Sequence, residues 1–356
     1  MKKAVLILAG GRGERFWPKS RKSLPKQFLS LTDDGKTMIQ LTVERVLQLT
    51  SMEDIYVATN NEYRNLVKEQ IPSLPEENIL CEPIGRNTAP CIGMAASHIK
   101  RKYGDACMIV LPADHLIKYH KMFSKAITQA CEVAEMGSNI VTIGITPSYP
   151  EIGYGYIKFN IDEAIGQAYA VEHFVEKPNM EKAKQYFASE EYLWNSGMFV
   201  WKASTILDNL KKHIPELYEG LERMERVVGL PDEKEQVEHI FYEFPSISID
   251  YGILEKADNI YIVPGTFGWD DVGSWLAISR IRQVNEDGNV VNGNIITIDT
   301  KNCVIEGNEK LIAAVGIQDL IVVDTSDATL ICDKANVADI KKVIENLKIC
   351  NRDEYI

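Results

Sequence analysis

Three glycines stand in the segment Leu8-Ala9-Gly10-Gly11-Arg12-Gly13-Glu14-Arg15, directly after a short apolar run. Glycine lets a backbone bend sharply and approach a ligand closely. Consecutive N–H groups in such a loop form a concavity that takes anions. Arg12, Arg15, Lys19, Arg21, Lys22 and Lys26 crowd the residues that follow. The chemistry this combination serves is phosphate binding. The alternative is a tight strand-to-helix turn with solvated arginines. Glycines alone do not separate the two, and it is the basic cluster that favours phosphate. Two other phosphate loops fail on inspection. A dinucleotide fingerprint begun at Gly11 needs a glycine where Phe16 stands. Gly35-Lys36-Thr37 resembles the end of a P-loop, but Ser30 replaces its first glycine and no buried strand leads into it.

Carboxylates are the second group with chemical potential. Asp114 follows the apolar residues 108–111, at the carboxyl end of an expected strand. Open α/β sheets bind their ligands there, although Asp is also a favoured helix cap. Asp271 lies in a turn flanked by Trp269 and Trp275, with capping of a helix near Ser274 as its alternative; Asp270 beside it reads as structural. Two carboxylates meeting over a triphosphate would hold Mg²⁺, which prefers few carboxylates plus phosphates and water. Glu176-Lys177-Pro178 ends a strand and could be no more than a surface ion pair. Gly85-Arg86-Asn87-Thr88 precedes a helix, and Asn87 or Thr88 would cap it. The six histidines show no metal-ligand spacing, and no Ser/His/Asp or Cys/His constellation is readable.

These residues need a scaffold. With 356 residues the chain suits one large domain and a small one. The net charge of −12 argues against a nucleic-acid partner, so an anionic substrate must meet a local basic island. Seven scattered cysteines without a CxxC pair read as reduced thiols. No apolar run approaches about 18 residues, so no membrane association and a cytoplasmic location are expected. Strands at 4–8, 55–58, 79–81, 107–111 and 140–145 alternate with helices at 38–49, 62–70, 89–102 and 122–135. That alternation predicts a mainly parallel sheet. The middle mixes strands at 154–159, 169–175, 198–201 and 260–263 with helices, and a helix is expected to start near Gly273. From Asn289, apolar pairs recur between turn residues: Val290-Val291, Ile295-Ile296, Val304-Ile305, Leu311-Ile312, Ile321-Val322 and Leu330-Ile331. They predict a small β unit of coiled strands, closed by an amphipathic helix at 338–347. The expected division is 1–284 and 285–356, with no catalytic residue in the second part.

Leu8-Ala9-Gly10-Gly11-Arg12-Gly13-Glu14-Arg15-Phe16-Trp17-Pro18-Lys19-Ser20, with Pro25-Lys26-Gln27-Phe28, resembles the signature of the sugar-nucleotide pyrophosphorylases, in its mannose-1-phosphate guanylyltransferase branch. The resemblance continues in order through Glu82-Pro83-Ile84-Gly85-Arg86-Asn87-Thr88-Ala89-Pro90, Leu111-Pro112-Ala113-Asp114-His115 and Gly153-Tyr154-Gly155-Tyr156-Ile157. It runs on through Val175-Glu176-Lys177-Pro178, Trp194-Asn195-Ser196-Gly197-Met198-Phe199 and Trp269-Asp270-Asp271-Val272-Gly273-Ser274-Trp275, and so spans nearly the whole chain. It implies an α/β fold: a Rossmann-like nucleotidyltransferase domain with a mixed, mainly parallel sheet, a short β-helix after it and a terminal helix. The fused isomerase domain of longer relatives is expected to be absent.

The resemblance also implies roles. GTP would be held by Leu8, Ala9, Gly10, Gly11, Arg12, Gly13, Arg15, Lys26, Gly85, Asn87 and Thr88. Gly155, Glu176, Lys177 and Asn195 would hold mannose 1-phosphate, and Asp114 and Asp271 would hold Mg²⁺. Arg15, Lys26, Asp114 and Lys177 would carry the chemistry, an in-line attack of the sugar phosphate on the α-phosphorus of GTP without a covalent intermediate. Glucose 1-phosphate with UTP or dTTP is the neighbouring alternative, and a non-catalytic sugar-nucleotide sensor the one from another class. A homodimer is a further expectation.

Overall fold

The computed structural model describes residues 1–11 and 13–356; Arg12, the first residue of the basic cluster and one of the GTP-binding candidates, lies outside the described residues. The chain groups into two compact units. The first comprises Met1–Gly10, Val43–Ala113 and Ile117–Trp269, the second Gly11–Thr42, Asp114–Leu116 and Asp270–Ile356. Strands run in the order β1 (Lys3–Leu8), β2 (Ile55–Asn60), β3 (Ile79–Glu82), β4 (Cys107–Pro112), β5 (Leu116–Ile117), β6 (Ile140–Ile145), β7 (Tyr156–Ile165), β8 (Ala168–Val175), β9 (Tyr192–Lys202), β10 (Ile260–Gly265) and β11 (Trp269–Asp270). After these come β12 (Val290–Asn292), β13 (Ile295–Ile298), β14 (Val304–Glu306), β15 (Ile312–Val315), β16 (Leu320–Asp324) and β17 (Thr329–Asp333). The helices are α1 (Met38–Val46), α2 (Arg64–Gln70), α3 (Thr88–Tyr103), α4 (His120–Glu135), α5 (Met180–Ser189), α6 (Ala203–His213), α7 (Pro215–Val227), α8 (Glu233–Tyr242), α9 (Ile278–Ile281) and α10 (Ile340–Ile349).

The first unit is built on a nine-stranded sheet in the order β3-β2-β1-β4-β9-β6-β10-β8-β7. Ala4, Val5, Leu6 and Ile7 are wholly buried, which is what a continuous apolar run becomes in a strand covered on both faces. β1 pairs in parallel with β2 and β4, and β2 in parallel with β3. Ala89, Ile92, Ala95, Ala96 and Ile99 recur at helical spacing on α3 and share one core with Leu6, Tyr56, Met108 and Trp201. The sheet is mixed, and antiparallel pairing reaches further than the sequence suggested. β9 inserts antiparallel between β4 and β6. β7 and β8 form a hairpin, because only Gly166-Gln167 separates them and Gly166 takes φ +62°.

The second unit contains the coiled strands. Val290, Val304 and Ile321 stack as successive rungs of the parallel pairs β12–β14 and β14–β16. β13 pairs in parallel with β15, and β17 folds back antiparallel on β16. All three rung residues are buried, in one cluster with Phe16, Trp17, Leu29, Leu31, Trp275, Ile340 and Ile344. Burying one such aliphatic side chain contributes roughly 1.5–3 kcal/mol. The segment carrying the glycine-rich signature therefore shares its core with the C-terminal coil. Electrostatics reinforce that core: wholly buried Glu306 is ion-paired to both Lys19 and Arg282. Near Gly273 the chain forms a 3-10 turn, Trp275–Ala277, and only then the single turn of α9.

Candidate active site

In the second unit Gly13 takes φ +61°, and a Cβ there would sit 2.3 Å from the Cβ of Lys26 and 2.7 Å from its backbone nitrogen. Only glycine suits both the backbone angle and this close approach. The consequence is a fixed lysine. Lys26 is 5% exposed, and its ammonium donates to Asp114 Oδ2 at 2.8 Å and to the Asp271 carbonyl at 2.6 Å. Gln27 donates to the Gly11 carbonyl at 3.0 Å, tying the glycine loop to the same turn. Arg15, Lys26, Asp114, His115, Asp271 and Lys341 are among the residues lining one cavity of about 390 Å³.

Asp114 titrates below the usual carboxylate range. Burial pushes its pKa up, but the Lys26 ammonium and His115 outweigh that. It caps nothing: α4 begins six residues later, at His120. Asp271 accepts the Gly273 N–H at 3.2 Å and is placed by strain. Its neighbour Val272 is wholly buried at φ +47°, a conformation costing a β-branched residue about 1–3 kcal/mol. Asp270 holds the turn, accepting the Val272 N–H at 2.8 Å and both arms of Arg280 at 2.6 and 3.0 Å. Asp270 is thus structural, as its sequence neighbourhood suggested.

The basic island divides. Lys19 is ion-paired to Glu306, and Arg21 pairs with Asp327 at 2.8 Å; neither lines the cavity that holds Lys26. Arg15 and Lys26 face the cavity. Two carboxylates on one cavity wall form a hard-oxygen donor set suited to a divalent cation. Among the described residues no cluster of three or more His, Cys, Asp or Glu could cage a metal unaided. A cation here would draw its other ligands from substrate phosphates and water, the usual mode for Mg²⁺.

In the first unit Leu8 and Ala9 leave β1 with their backbone engaged. The Leu8 carbonyl accepts from Ala113 at 3.0 Å. Ala9 donates to Ala58 at 2.8 Å and accepts from Thr59 Oγ1 at 2.9 Å. Beside them stands a residue that sequence reasoning passed over. Glu82, at the end of β3, is 6% exposed, and its Oε2 lies 3.6 Å from where a Gly10 Cβ would be. Its Oε1 is buried with no hydrogen-bond partner among the described residues. Burial raises its pKa to about 8. Asn87, at φ +66°, caps α3 by accepting from Thr88 N at 2.9 Å. Thr88 Oγ1 accepts from Ile249 N at 2.8 Å. The capping alternative therefore holds for Asn87. Gly85 is open, with nothing within 4 Å of a Cβ placed there.

A second cluster in the first unit gathers Gly155, Glu176, Lys177 and Asn195. A Cβ on Gly155 would lie 2.6 Å from Glu176 Oε2 and 3.3 Å from the Asn195 Cβ, so this glycine is what lets the carboxylate in. Asn195 N donates to the Gly155 carbonyl at 2.8 Å. Lys177, exposed at φ +45°, pairs with Glu176. Asn195 Nδ2 donates to Asp250 Oδ1 at 3.0 Å. Asp250 is another residue without a sequence signal. It opens the single π-turn Asp250–Leu254, a distortion common at functional sites. Burial and the neighbouring Glu176 raise its pKa to about 6.

Comparison with known proteins supplies the family. Residues 4–287 match the nucleotidyl transferase family model, and residues 293–347 match the mannoseP isomerase/GMP-like beta-helix domain. The chain is 42% identical over 359 residues to the mannose-1-phosphate guanylyltransferase of Escherichia coli K12, covering 98% of this chain and 74% of that one. It is 41% identical over 359 residues to the mannose-1-phosphate guanylyltransferase of Salmonella montevideo, covering 99% and 75%. A solved structure described as mannose-1-phosphate geranyltransferase, from Thermus thermophilus, superposes with a TM-score of 0.88 at 33% identity, covering 98% of this chain and all of that one. The chain belongs to the nucleotidyl transferase family, in its mannose-1-phosphate guanylyltransferase branch. It is an enzyme of that class, whose members act on a nucleotide and a sugar phosphate and generally use a divalent metal. No helix among the described residues is long and apolar enough to cross a membrane.

Proposed function

We propose that this protein transfers a guanylyl group from GTP to mannose 1-phosphate, releasing pyrophosphate, with Mg²⁺ as its metal. The observation that carries the reading is the cavity in which Arg15, Lys26, Asp114 and Asp271 converge. It pairs two cations with two carboxylates, the set needed to bring two anions together. The names of the relatives at 41% and 42% identity supply the particular substrates.

In this reading Asp114 and Asp271 would hold the cation, which would neutralise phosphate charge and orient the triphosphate. Lys26, fixed between Asp114 and the Asp271 carbonyl, presents its charge to phosphate oxygens without reorganising. Arg15 adds a second cation, and the N–H groups of Gly11 and Gly13 line the phosphate path. A phosphate oxygen of mannose 1-phosphate attacks the α-phosphorus in line; the bond to the bridging oxygen breaks and pyrophosphate departs. Positioning supplies most of the effect, and no covalent enzyme intermediate is needed.

Leu8, Ala9, Gly10, Gly85, Asn87 and Thr88 form the base-binding set, with Arg12 following in sequence. Guanine offers donors at N1 and N2, and Glu82, whose Oε1 is buried without a partner among the described residues and whose Oε2 lies beside Gly10, can accept from one of them through Oε1. Glu176, Asn195 and Asp250 meet the sugar hydroxyls beside Gly155, and Lys177 reaches the sugar phosphate. The test is pyrophosphate release across four nucleotides and several sugar 1-phosphates. The reading requires highest efficiency with GTP and mannose 1-phosphate, and equal or better efficiency with UTP or dTTP and glucose 1-phosphate would refute it.

A further inference from the structure

The cavity that holds Lys26, Asp114 and Asp271 has one wall from the far end of the chain. Lys341, the second residue of α10, lines it together with Arg15. Helix α10 packs against the short 3-10 turn Glu14–Phe16, and its Ile340 and Ile344 are buried in the cluster that includes Phe16. The position of Lys341 on the cavity is therefore set by core packing.

Among the described residues no carboxylate pairs with it directly, although Glu14, Asp114 and Asp271 line the same cavity. Lysine in the first turn of a helix opposes the helix dipole. The adjacent Lys342 is compensated by Asp339 at 2.9 Å. Lys341 has no carboxylate within ion-pairing distance among the described residues. With Asp114 and Asp271 given to a divalent cation, Lys341 joins Arg15 and Lys26 as a third cation on the cavity, a set that suits a ligand with several negative charges. A triphosphate supplies them, and so does the pyrophosphate that leaves.

We propose that Lys341 is a phosphate-binding residue of the nucleotide site, contributed by the C-terminal helix, which contacts the outer phosphates of the nucleoside triphosphate and of product pyrophosphate. The β coil and its helix are then part of the binding machinery as well as a support for the signature segment. This rests on the nucleotidyl-transfer reading above.

The test compares Lys341→Ala, Lys341→Glu and Lys341→Arg with Lys342→Ala in the full chain. Initial rates are measured in both directions, and pyrophosphate binding is measured by calorimetry with Mg²⁺ present. Loss of one charge-assisted contact should raise KM for GTP and pyrophosphate about fivefold to tenfold in Lys341→Ala. Lys341→Glu should raise them further, and Lys341→Arg should restore them. KM for mannose 1-phosphate, and the thermal midpoint, should stay put, as should every parameter of Lys342→Ala. If Lys341→Ala and Lys341→Glu both keep KM for GTP and pyrophosphate binding within about twofold of the parent, the assignment is overturned. A change confined to mannose 1-phosphate also overturns it. The underlying reading fails separately, when the unaltered protein releases no pyrophosphate from GTP and mannose 1-phosphate; direct pyrophosphate calorimetry still decides the role of Lys341 in that case.

Discussion

Two aspartates, one in each compact unit, are driven in opposite directions. Asp114 is held ionised because Lys26 and His115 overcome its burial. Asp250 is pushed up to about 6 because burial and Glu176 both disfavour its charge. Glu82, in the same unit as Asp250, goes further, to about 8. The second unit thus concentrates fixed charges of both signs around a phosphate-sized cavity. The first unit keeps two carboxyls, Glu82 and Asp250, that are buried and reluctant to ionise. Fixed charge suits a reaction that brings two anions together. Carboxyls poised near neutrality suit the reading of hydroxyls and of a neutral base, where direction matters more than charge.

The largest way to break this comparison is to remove the C-terminal coil. Truncation before Asn285 strips Val290, Val304, Ile321, Ile340 and Ile344 from the core that holds Phe16 and Trp17. It also leaves Arg282, 4% exposed, without Glu306, and breaking such a buried pair costs about 3–5 kcal/mol. The truncated chain should be insoluble or inactive. A soluble product with full pyrophosphate release would show that the signature segment stands without the coil.

Next come the fixed charges. Lys26→Ala removes the cation between Asp114 and the Asp271 carbonyl, and turnover should fall about a hundredfold to a thousandfold. Asp271→Ala should abolish metal-dependent turnover in a folded protein. Rates across a Mg²⁺ titration check both. A Lys26→Ala enzyme altered only in its KM for mannose 1-phosphate would move that lysine to the other substrate.

Smaller losses are expected in the first unit. Gly155→Ala drives a methyl to 2.6 Å from Glu176 Oε2. Displacing the carboxylate should lower kcat/KM for mannose 1-phosphate about tenfold to a hundredfold, with KM for GTP unchanged. Equal losses for both substrates would mean that the glycine serves the sheet, not the sugar.

A last test sharpens the contrast in titration. Folded Glu82 keeps a proton that the unfolded chain releases, so stability falls as pH rises from about 4.3, the free glutamate value, to about 8. Below that window the contribution is flat. Glu82→Gln should flatten this slope in urea midpoints taken at intervals from pH 4 to pH 8, and should weaken preference for GTP over inosine triphosphate. An unchanged slope would show that Glu82 is ionised as ordinary glutamates are.

Much was legible beforehand, for identifiable physical reasons. A wholly apolar run such as Ala4-Val5-Leu6-Ile7 has few places to go but a strand covered on both faces. A carboxylate straight after such a strand, as Asp114 is, must emerge at its carboxyl end. Paired apolar residues between turn residues after Asn289 became the rungs of the coil. These are local facts, and periodicity and turn chemistry are enough to read them.

What tertiary structure alone decided was which charges remain available. The sequence presents one basic island, and the fold spends Lys19 on Glu306 and Arg21 on Asp327, partners roughly three hundred residues further along the chain. It leaves Arg15 and Lys26 on the cavity, and adds Lys341 from a helix with no local sign of function. Glu82 and Asp250 owe their raised pKa values to surroundings assembled from distant segments. Ionisation and availability are sums over neighbours, and a chain acquires most of its neighbours only when it folds.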